Sequence, residues 1–157
     1  MAVHDRIRLI GTLRKGLAQA GPFYVAPMDL AARLVRGASD QRLERTLGRP
    51  ALLALILKLR LRRADPAAAG GFVGELGLDL ARVTGPPLAW AITVDADGVR
   101  LRRRPAREPA VSVALSVADL LRIGTGVERA DGLLLVGRLD LAGDWAVAMR
   151  LSSLIFG

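Results

Sequence analysis

The sequence contains no cysteine, and it has a single histidine, His4. Without cysteine there is no disulfide framework, no thiol nucleophile and no thiolate metal site. A lone histidine near the start of the chain lacks the rigidly held partners that a catalytic triad or a metal site requires. We therefore expect His4 to be a solvated surface residue, and we expect no catalysis, no metal ion and no cofactor.

Aromatic residues are also scarce, at 4% of the chain against 52% hydrophobic residues overall, so the core must be built from aliphatic side chains. Base stacking needs aromatic rings on a strand face, and Trp90 is the only aromatic residue in the predicted strands after Phe72. The composition therefore disfavours a nucleic-acid-binding module.

Long apolar runs are missing as well, since no stretch reaches the roughly 18 residues that a membrane span needs. The nearest run, from Pro50 to Leu61, is interrupted by Lys58 and Arg60. The first residues show no apolar signal-peptide core followed by a small-residue cleavage site. We therefore expect a soluble, cytoplasmic protein.

Basic residues are abundant, and the net charge is +8. Two lysines, Lys15 and Lys58, stand among 23 basic residues, so the charge comes almost wholly from arginine. Alternation along a strand would place Arg100, Arg102 and Arg104 on one face as a basic stripe. The stripe could be a solvated surface, a guard against edge-to-edge pairing, or a transient contact with anionic membranes, and these alternatives stay open. A second basic cluster at 58–63 is typical of a helix end.

Five segments alternate apolar with polar or small residues and predict strands: 72–80, 88–95, 99–103, 111–115 and 138–142. Asp97-Gly98 between the second and third segments predicts a hairpin turn. Each strand has one apolar and one mixed face. We therefore predict an α+β fold, in which a five-stranded, mainly antiparallel sheet carries helices on one face.

In the first half of the chain, helical patterns cover Val3–Leu17, a short stretch from Asp29 to Val35, and a segment that Ser39 caps. Pro50 suits the first turn of the next helix. The segment Leu52–Leu61 is apolar nearly all round, and a helix of that kind is usually packed on more than one side.

In the second half, Ser116 with Asp119 three residues later predicts a capped helix immediately after a strand. Gly124-Thr125-Gly126 lacks the spacing of a phosphate loop and predicts the end of that helix. A final amphipathic helix runs from Trp145 to Phe156, and it either packs as core or lines a ligand site. The aspartates lie at strand exits, turns and caps, which are ordinary structural positions.

Taken in order, these elements resemble a known family, the sterol carrier protein type 2 lipid-binding domain. The matching features are the W-x-x-x-V-x-x-D-G hairpin at 90–98, the strand-to-helix passage at 111–121, Gly126, and the G-x-L-x-x-x-G-D run at 137–144. The resemblance covers roughly residues 40–157. We accordingly predict an N-terminal, partly helical extension at 1–38 and a lipid-binding domain at 39–157.

The resemblance implies an apolar cavity between sheet and helices that takes a fatty acid, an acyl-CoA or a sterol-like lipid, and it implies no chemistry. One interpretation is that the protein is a lipid carrier. The other is that it is an accessory protein, which presents a lipid such as a quinone precursor to a partner enzyme. The residues that would line the cavity are Leu76, Leu78, Trp90, Ile92, Val113, Leu115, Leu120, Leu121, Trp145, Met149, Ile155 and Phe156.

Overall fold

The structure, a computed structural model, describes the backbone of residues 27–156 and the side chains of residues 29–151. His4 and the predicted helix at Val3–Leu17 lie outside the described residues. The chain divides into two units, Met1–Ala31 and Ala32–Gly157. The predicted boundary between residues 38 and 39 stays a prediction.

Six α-helices and five strands occur in the described part of the chain. The helices are α1 (Pro27–Arg36), α2 (Asp40–Thr46), α3 (Pro50–Leu61), α4 (Val117–Gly124), α5 (Ala130–Leu135) and α6 (Trp145–Phe156). A 3-10 turn covers Pro66–Ala69. The strands are β1 (Gly74–Ala81), β2 (Leu88–Asp95), β3 (Gly98–Arg102), β4 (Pro109–Ser116) and β5 (Leu139–Gly143).

The strands form one sheet in the order β3-β2-β1-β4-β5. The central strands β1 and β4 run parallel, and the other three pairs are antiparallel. In this register Leu78 lies between Trp90 on β2 and Val113 on β4, so the apolar residues of adjacent strands share one face. The predicted α+β fold with a mainly antiparallel five-stranded sheet is confirmed.

Two serines cap helices as predicted. The Ser39 hydroxyl accepts a hydrogen bond from the Arg42 amide at 3.3 Å, and the Ser116 hydroxyl accepts one from the Asp119 amide at 3.0 Å. The prediction that the Asp119 carboxylate serves the cap was wrong. Asp119 is buried and binds two arginine side chains instead, which are described below.

Helix α3 departs from the expectation that it is packed on more than one side. Leu53, Ala54, Leu57 and Leu61 are buried in the core, whereas Leu55 and Leu59 are each 52% exposed. The prediction failed because a helix that is apolar all round carries no directional signal, so the pattern cannot show which faces have neighbours. The result is an exposed apolar surface on this helix.

Two carboxylates fix the loops at the ends of β1. Glu44 on α2 is buried and accepts hydrogen bonds from the backbone amides of Val83 and Thr84 at 2.6 and 2.9 Å. At the other end, Glu75 accepts hydrogen bonds from the Arg104 guanidinium and, at 3.0 Å, from the Arg107 amide. These bonds, the Arg104 side chain first, lower the pKa of Glu75 from 4.5 to about 2.

Candidate lipid-binding cleft

An apolar cleft of about 670 Å³ lies between the sheet and the C-terminal helices. It is open to solvent on one side, and its volume lies within the roughly 300–1,000 Å³ range of small-molecule sites. Its lining comes from β1, β4 and β5, from α4 to α6, and from the turn after α4: Leu76, Val111, Val113, Ile123, Gly126, Glu128, Arg129, Ala130, Asp131, Leu134, Leu139, Leu141, Trp145, Ala148, Met149 and Leu151. The fully enclosed cavity that the resemblance implies stays a prediction.

The floor of the cleft follows from the pairing of β4 with β5. Val113 stands beside Leu141, and Val111 stands beside Gly143. Gly143 has φ +109°, and a Cβ atom built there would lie 2.3 Å from the Ala110 carbonyl oxygen. Only glycine fits this close approach, and it ends β5 immediately before α6.

One wall of the cleft is the first two turns of α6. Asp144 caps this helix, because its Oδ1 accepts hydrogen bonds from the amides of Ala146 and Val147 at 2.9 and 3.3 Å. Trp145 and Met149, four positions apart on one helix face, both line the cleft. They are 55% and 60% exposed, so two large apolar side chains stand at its opening.

Among the described lining residues, the charged ones are Glu128, Arg129 and Asp131. Arg129 binds Asp131 through two parallel hydrogen bonds, from Nε to Oδ1 at 3.0 Å and from Nη2 to Oδ2 at 2.9 Å. The paired side chains lower the pKa of Asp131 and raise the pKa of Arg129, so both are charged at neutral pH. Glu128 is held by Arg138, with 3.4 Å between Nη1 and Oε1.

Arg138 is in turn part of a network centred on the buried carboxylate of Asp119. Arg138 donates from Nε to Asp119 Oδ2 at 3.3 Å and also contacts Oδ1 through Nη2. Arg122 donates from Nη1 to Asp119 Oδ1 at 3.1 Å and from Nη2 to Asp40 Oδ1 at 2.5 Å. The network joins the start of α2, helix α4 and the start of β5, so the segment that carries Glu128 is held against the core.

Four of the predicted lining residues are brought together at the cleft, namely Leu76, Val113, Trp145 and Met149. The other described ones are buried in the core and do not line it: Leu78, Trp90, Ile92, Leu115, Leu120 and Leu121. Ile155 and Phe156 belong to α6, but their side chains lie outside the described residues. Whether any of these residues contacts a lipid stays a prediction.

Sequence reasoning missed the half-buried Leu134 and Leu141, which line the cleft from α5 and β5, and Glu128 at its edge. The alternation of Leu139 and Leu141 in β5 is a signal that could have identified part of this wall. No sequence pattern marks Glu128, because its position depends on the contact with Arg138.

The predicted arginine stripe is divided in the structure. Arg100 and Arg102 lie on β3, where Arg100 is 3.7 Å from Asp95. Arg104 lies beyond the end of β3 and binds Glu75, so it does not continue the stripe. Arg100 and Arg102 instead line a groove of about 570 Å³ together with Lys58 and Arg62 from the end of α3.

The fold and the cleft define a small α+β domain with an apolar cleft between the sheet and its C-terminal helices. A family model described as the SCP-2 sterol transfer family matches residues 56–156, which is more than half of the chain. The chain therefore belongs to the SCP-2 sterol transfer family of lipid-binding domains.

Solved structures share the fold. Sterol carrier protein 2 like 2 from Aedes aegypti is 23% identical, with a TM-score of 0.54 over 64% of this chain and 91% of that one. Its palmitated form gives 20% identity and a TM-score of 0.53 over 66% and 90%. The UbiJ-SCP2 ubiquinone synthesis protein is 18% identical, with a TM-score of 0.51 over 67% and 90%.

The same fold also occurs inside a larger enzyme. The sec-alkylsulfatase Pisa1 from Pseudomonas sp. is 20% identical, with a TM-score of 0.55 over 73% of this chain and 17% of the enzyme. A search of curated protein sequences gave no significant match. Within residues 27–156, no helix is long and apolar enough to cross a membrane.

Proposed function

We propose that this protein is a non-catalytic, cytoplasmic lipid carrier that holds an acyl chain, a sterol or a similar apolar lipid in the cleft. The observation that carries the proposal is the apolar cleft with Trp145 and Met149 half-exposed at its opening. Large apolar side chains in water favour an apolar occupant that covers them. Family membership supports the same conclusion, since the family is described by sterol transfer.

The affinity expected from burial alone is in the micromolar range. A chain that buries about 14 methylene groups gains about 11 kcal/mol at about 0.8 kcal/mol each. Association costs at least about 4 kcal/mol in lost translational and rotational freedom. The remaining 7 kcal/mol or so corresponds to a Kd of about 10 μM. No special polar contact is needed for binding at this level.

Titration of the purified protein with a fluorescent long-chain fatty acid and a fluorescent sterol tests the proposal directly. At least one should bind with a Kd in the micromolar range, and mass spectrometry of the freshly purified protein should show a lipid that co-purifies. If neither probe binds and no lipid co-purifies, the carrier function is wrong.

Presentation of a lipid intermediate, such as a quinone precursor, to an enzyme is the second candidate function. The open side of the cleft supports it, because a lipid bound there would stay accessible to a second protein. The likeness to the UbiJ-SCP2 ubiquinone synthesis protein points in the same direction. A stable complex with a biosynthetic enzyme would favour presentation, whereas transfer of lipid between vesicles by the isolated protein would favour a carrier.

We further propose a transient contact with anionic membranes through the exposed face of α3 and the adjacent basic groove. Leu55 and Leu59 are half-exposed, and Lys58 and Arg62 are exposed beside them. Apolar side chains flanked by cations favour insertion at an anionic lipid surface, with about 1 kcal/mol per well-placed basic residue.

Vesicle co-sedimentation tests this contact. Binding should rise with the fraction of anionic lipid and fall with salt, and the double variant Lys58→Ser/Arg62→Ser should weaken it about tenfold or more. The variants Arg100→Ser and Arg102→Ser test the other side of the groove, and the double variant Arg42→Ser/Arg45→Ser on α2, which also removes two exposed cations, is a charge-matched control. Equal binding to neutral and anionic vesicles would rule the contact out.

A further inference from the structure

The polar residues at the cleft indicate the class of ligand more specifically than its apolar lining does, because they are few and their hydrogen-bond partners are defined. Among the described lining residues there are two carboxylates, Glu128 and Asp131, and one cation, Arg129. The two parallel hydrogen bonds to Asp131 occupy Nε and Nη2 of Arg129. Asp131 therefore balances the charge of Arg129, and Glu128 is left as the carboxylate that has no cationic partner among the described lining residues.

Glu128 differs from Asp131 in how it is held. Arg138 donates to its Oε1, and Arg138 is itself bound to the buried Asp119. A carboxylate that is fixed in this way is pre-organised, and it still has lone pairs to accept a hydrogen bond from a ligand. It can accept from a hydroxyl, but it repels a second carboxylate.

We propose that the cleft selects uncharged lipids whose polar end is a hydroxyl group over long-chain carboxylates, and that Glu128 determines this selectivity. The inference rests on the proposed lipid-binding function and names the class of lipid for the same cleft. The net charge of the whole protein is +8, which on its own would favour anionic ligands. A preference for the uncharged lipid therefore has to come from the residues at the cleft itself.

A matched ligand series on the full chain tests the inference. The neutral dye Nile red is bound first, and it is then displaced at neutral pH by hexadecanol, methyl hexadecanoate or hexadecanoic acid, each delivered from cyclodextrin. The three ligands share one alkyl chain and differ in the polar end. Hexadecanol should displace the dye at about a tenfold lower concentration than hexadecanoic acid. The ester, which has neither a donor nor a charge, should fall between them.

Two variants assign the effect to one residue. Glu128→Gln keeps an acceptor but removes the charge, so it should bring the acid to within about threefold of the alcohol. Asp140→Asn removes one exposed carboxylate from β5 outside the cleft lining, and it should leave the tenfold ratio unchanged.

The possible failures can be told apart. If hexadecanoic acid binds as well as hexadecanol or better, or if Glu128→Gln leaves the ratio at its original value while its melting temperature is unchanged, the selectivity inference is wrong and lipid binding stands. If Nile red does not bind and none of the three ligands binds when titrated directly, the proposed function is wrong, and this inference falls with it.

Discussion

Replacing Met149 by tryptophan should close part of the cleft without harming the fold. Met149 is 60% exposed at the cleft opening, so the larger indole ring can be placed there without overpacking the core. Surface substitutions of this kind usually change stability by at most about 0.5 kcal/mol. For a domain of this size, that change corresponds to about 1–2 °C in melting temperature.

The loss of affinity can be worked out from the volume that the ligand gives up. If the indole ring displaces two methylene groups of the bound chain from the cleft, binding loses about 1.6 kcal/mol, at about 0.8 kcal/mol per methylene. That loss is slightly more than tenfold in Kd. We therefore expect Met149→Trp to weaken long-chain lipid binding by tenfold or more, while the melting temperature stays within about 2 °C of the original protein.

The assay is a titration with a fluorescent fatty acid or sterol, together with thermal melting of the same samples. Leu135→Trp is the matched control, because Leu135 is 87% exposed on α5 and does not line the cleft. The control should leave lipid affinity unchanged. Unchanged affinity in Met149→Trp, or an equal loss in Leu135→Trp, would refute the assignment of the cleft as the lipid site. A fall of several degrees in Met149→Trp would show that this part of α6 packs as core.

Three further predictions concern the fold. Because the pKa of Glu75 is lowered to about 2, its ionised form stabilises the protein above about pH 4.5, and this stabilisation is lost as the pH falls through 2. The variant Glu75→Gln should therefore be less stable than the original protein at neutral pH. Its acid unfolding, followed by circular dichroism, should depend less on pH between 4.5 and 2. Glu44→Ala should lower the free energy of unfolding, measured in urea, by about 2 kcal/mol or more, because it leaves the Val83 and Thr84 amides without their acceptor. A loss below about 0.5 kcal/mol would contradict the role of Glu44 in anchoring the loop after β1. Gly143→Ala should cost more than about 1 kcal/mol in the same assay because φ is +109° and the added Cβ meets a carbonyl oxygen; unchanged stability would show that β5 can shift there.

Much of the fold could be predicted because its signals are local. The serine caps, the alternation in each strand and the hairpin between β2 and β3 depend on neighbouring residues, and the structure confirms them. The hairpin turn was predicted at Asp97-Gly98, but it is one residue earlier, at Ala96-Asp97, because Asp95 pairs with Gly98. The exposed face of α3 could not be predicted, since Leu55 and Leu59 look the same in the sequence as the buried Leu53 and Leu57. What distinguishes them is the presence or absence of a packing neighbour.

The cleft could be predicted less well than the fold, for a related reason. Alternation shows that Leu76 and Leu78 share the inner face of β1, but only Leu76 lies where the helices stand away from the sheet. The roles of the buried and paired carboxylates were harder still to predict from the sequence. Asp119 has the spacing of a capping residue, yet its role comes from Arg138 nineteen positions later, and no local pattern encodes such a contact.

The parallel pairing at the centre of the sheet also bears on how the chain reaches its native state. Leu76 pairs with Val111, so the β2–β3 hairpin lies within the loop that this contact closes. A tight hairpin forms in microseconds and costs little loop entropy, whereas contacts between distant segments are slower to form. If β1 pairs with the hairpin first, the edge of β1 that later pairs with β4 stays unpaired until β4 packs against it. Strand β5 and helix α6 can complete the cleft only after that step. We therefore expect the cleft, our candidate lipid site, to be assembled late in folding, after the core is in place.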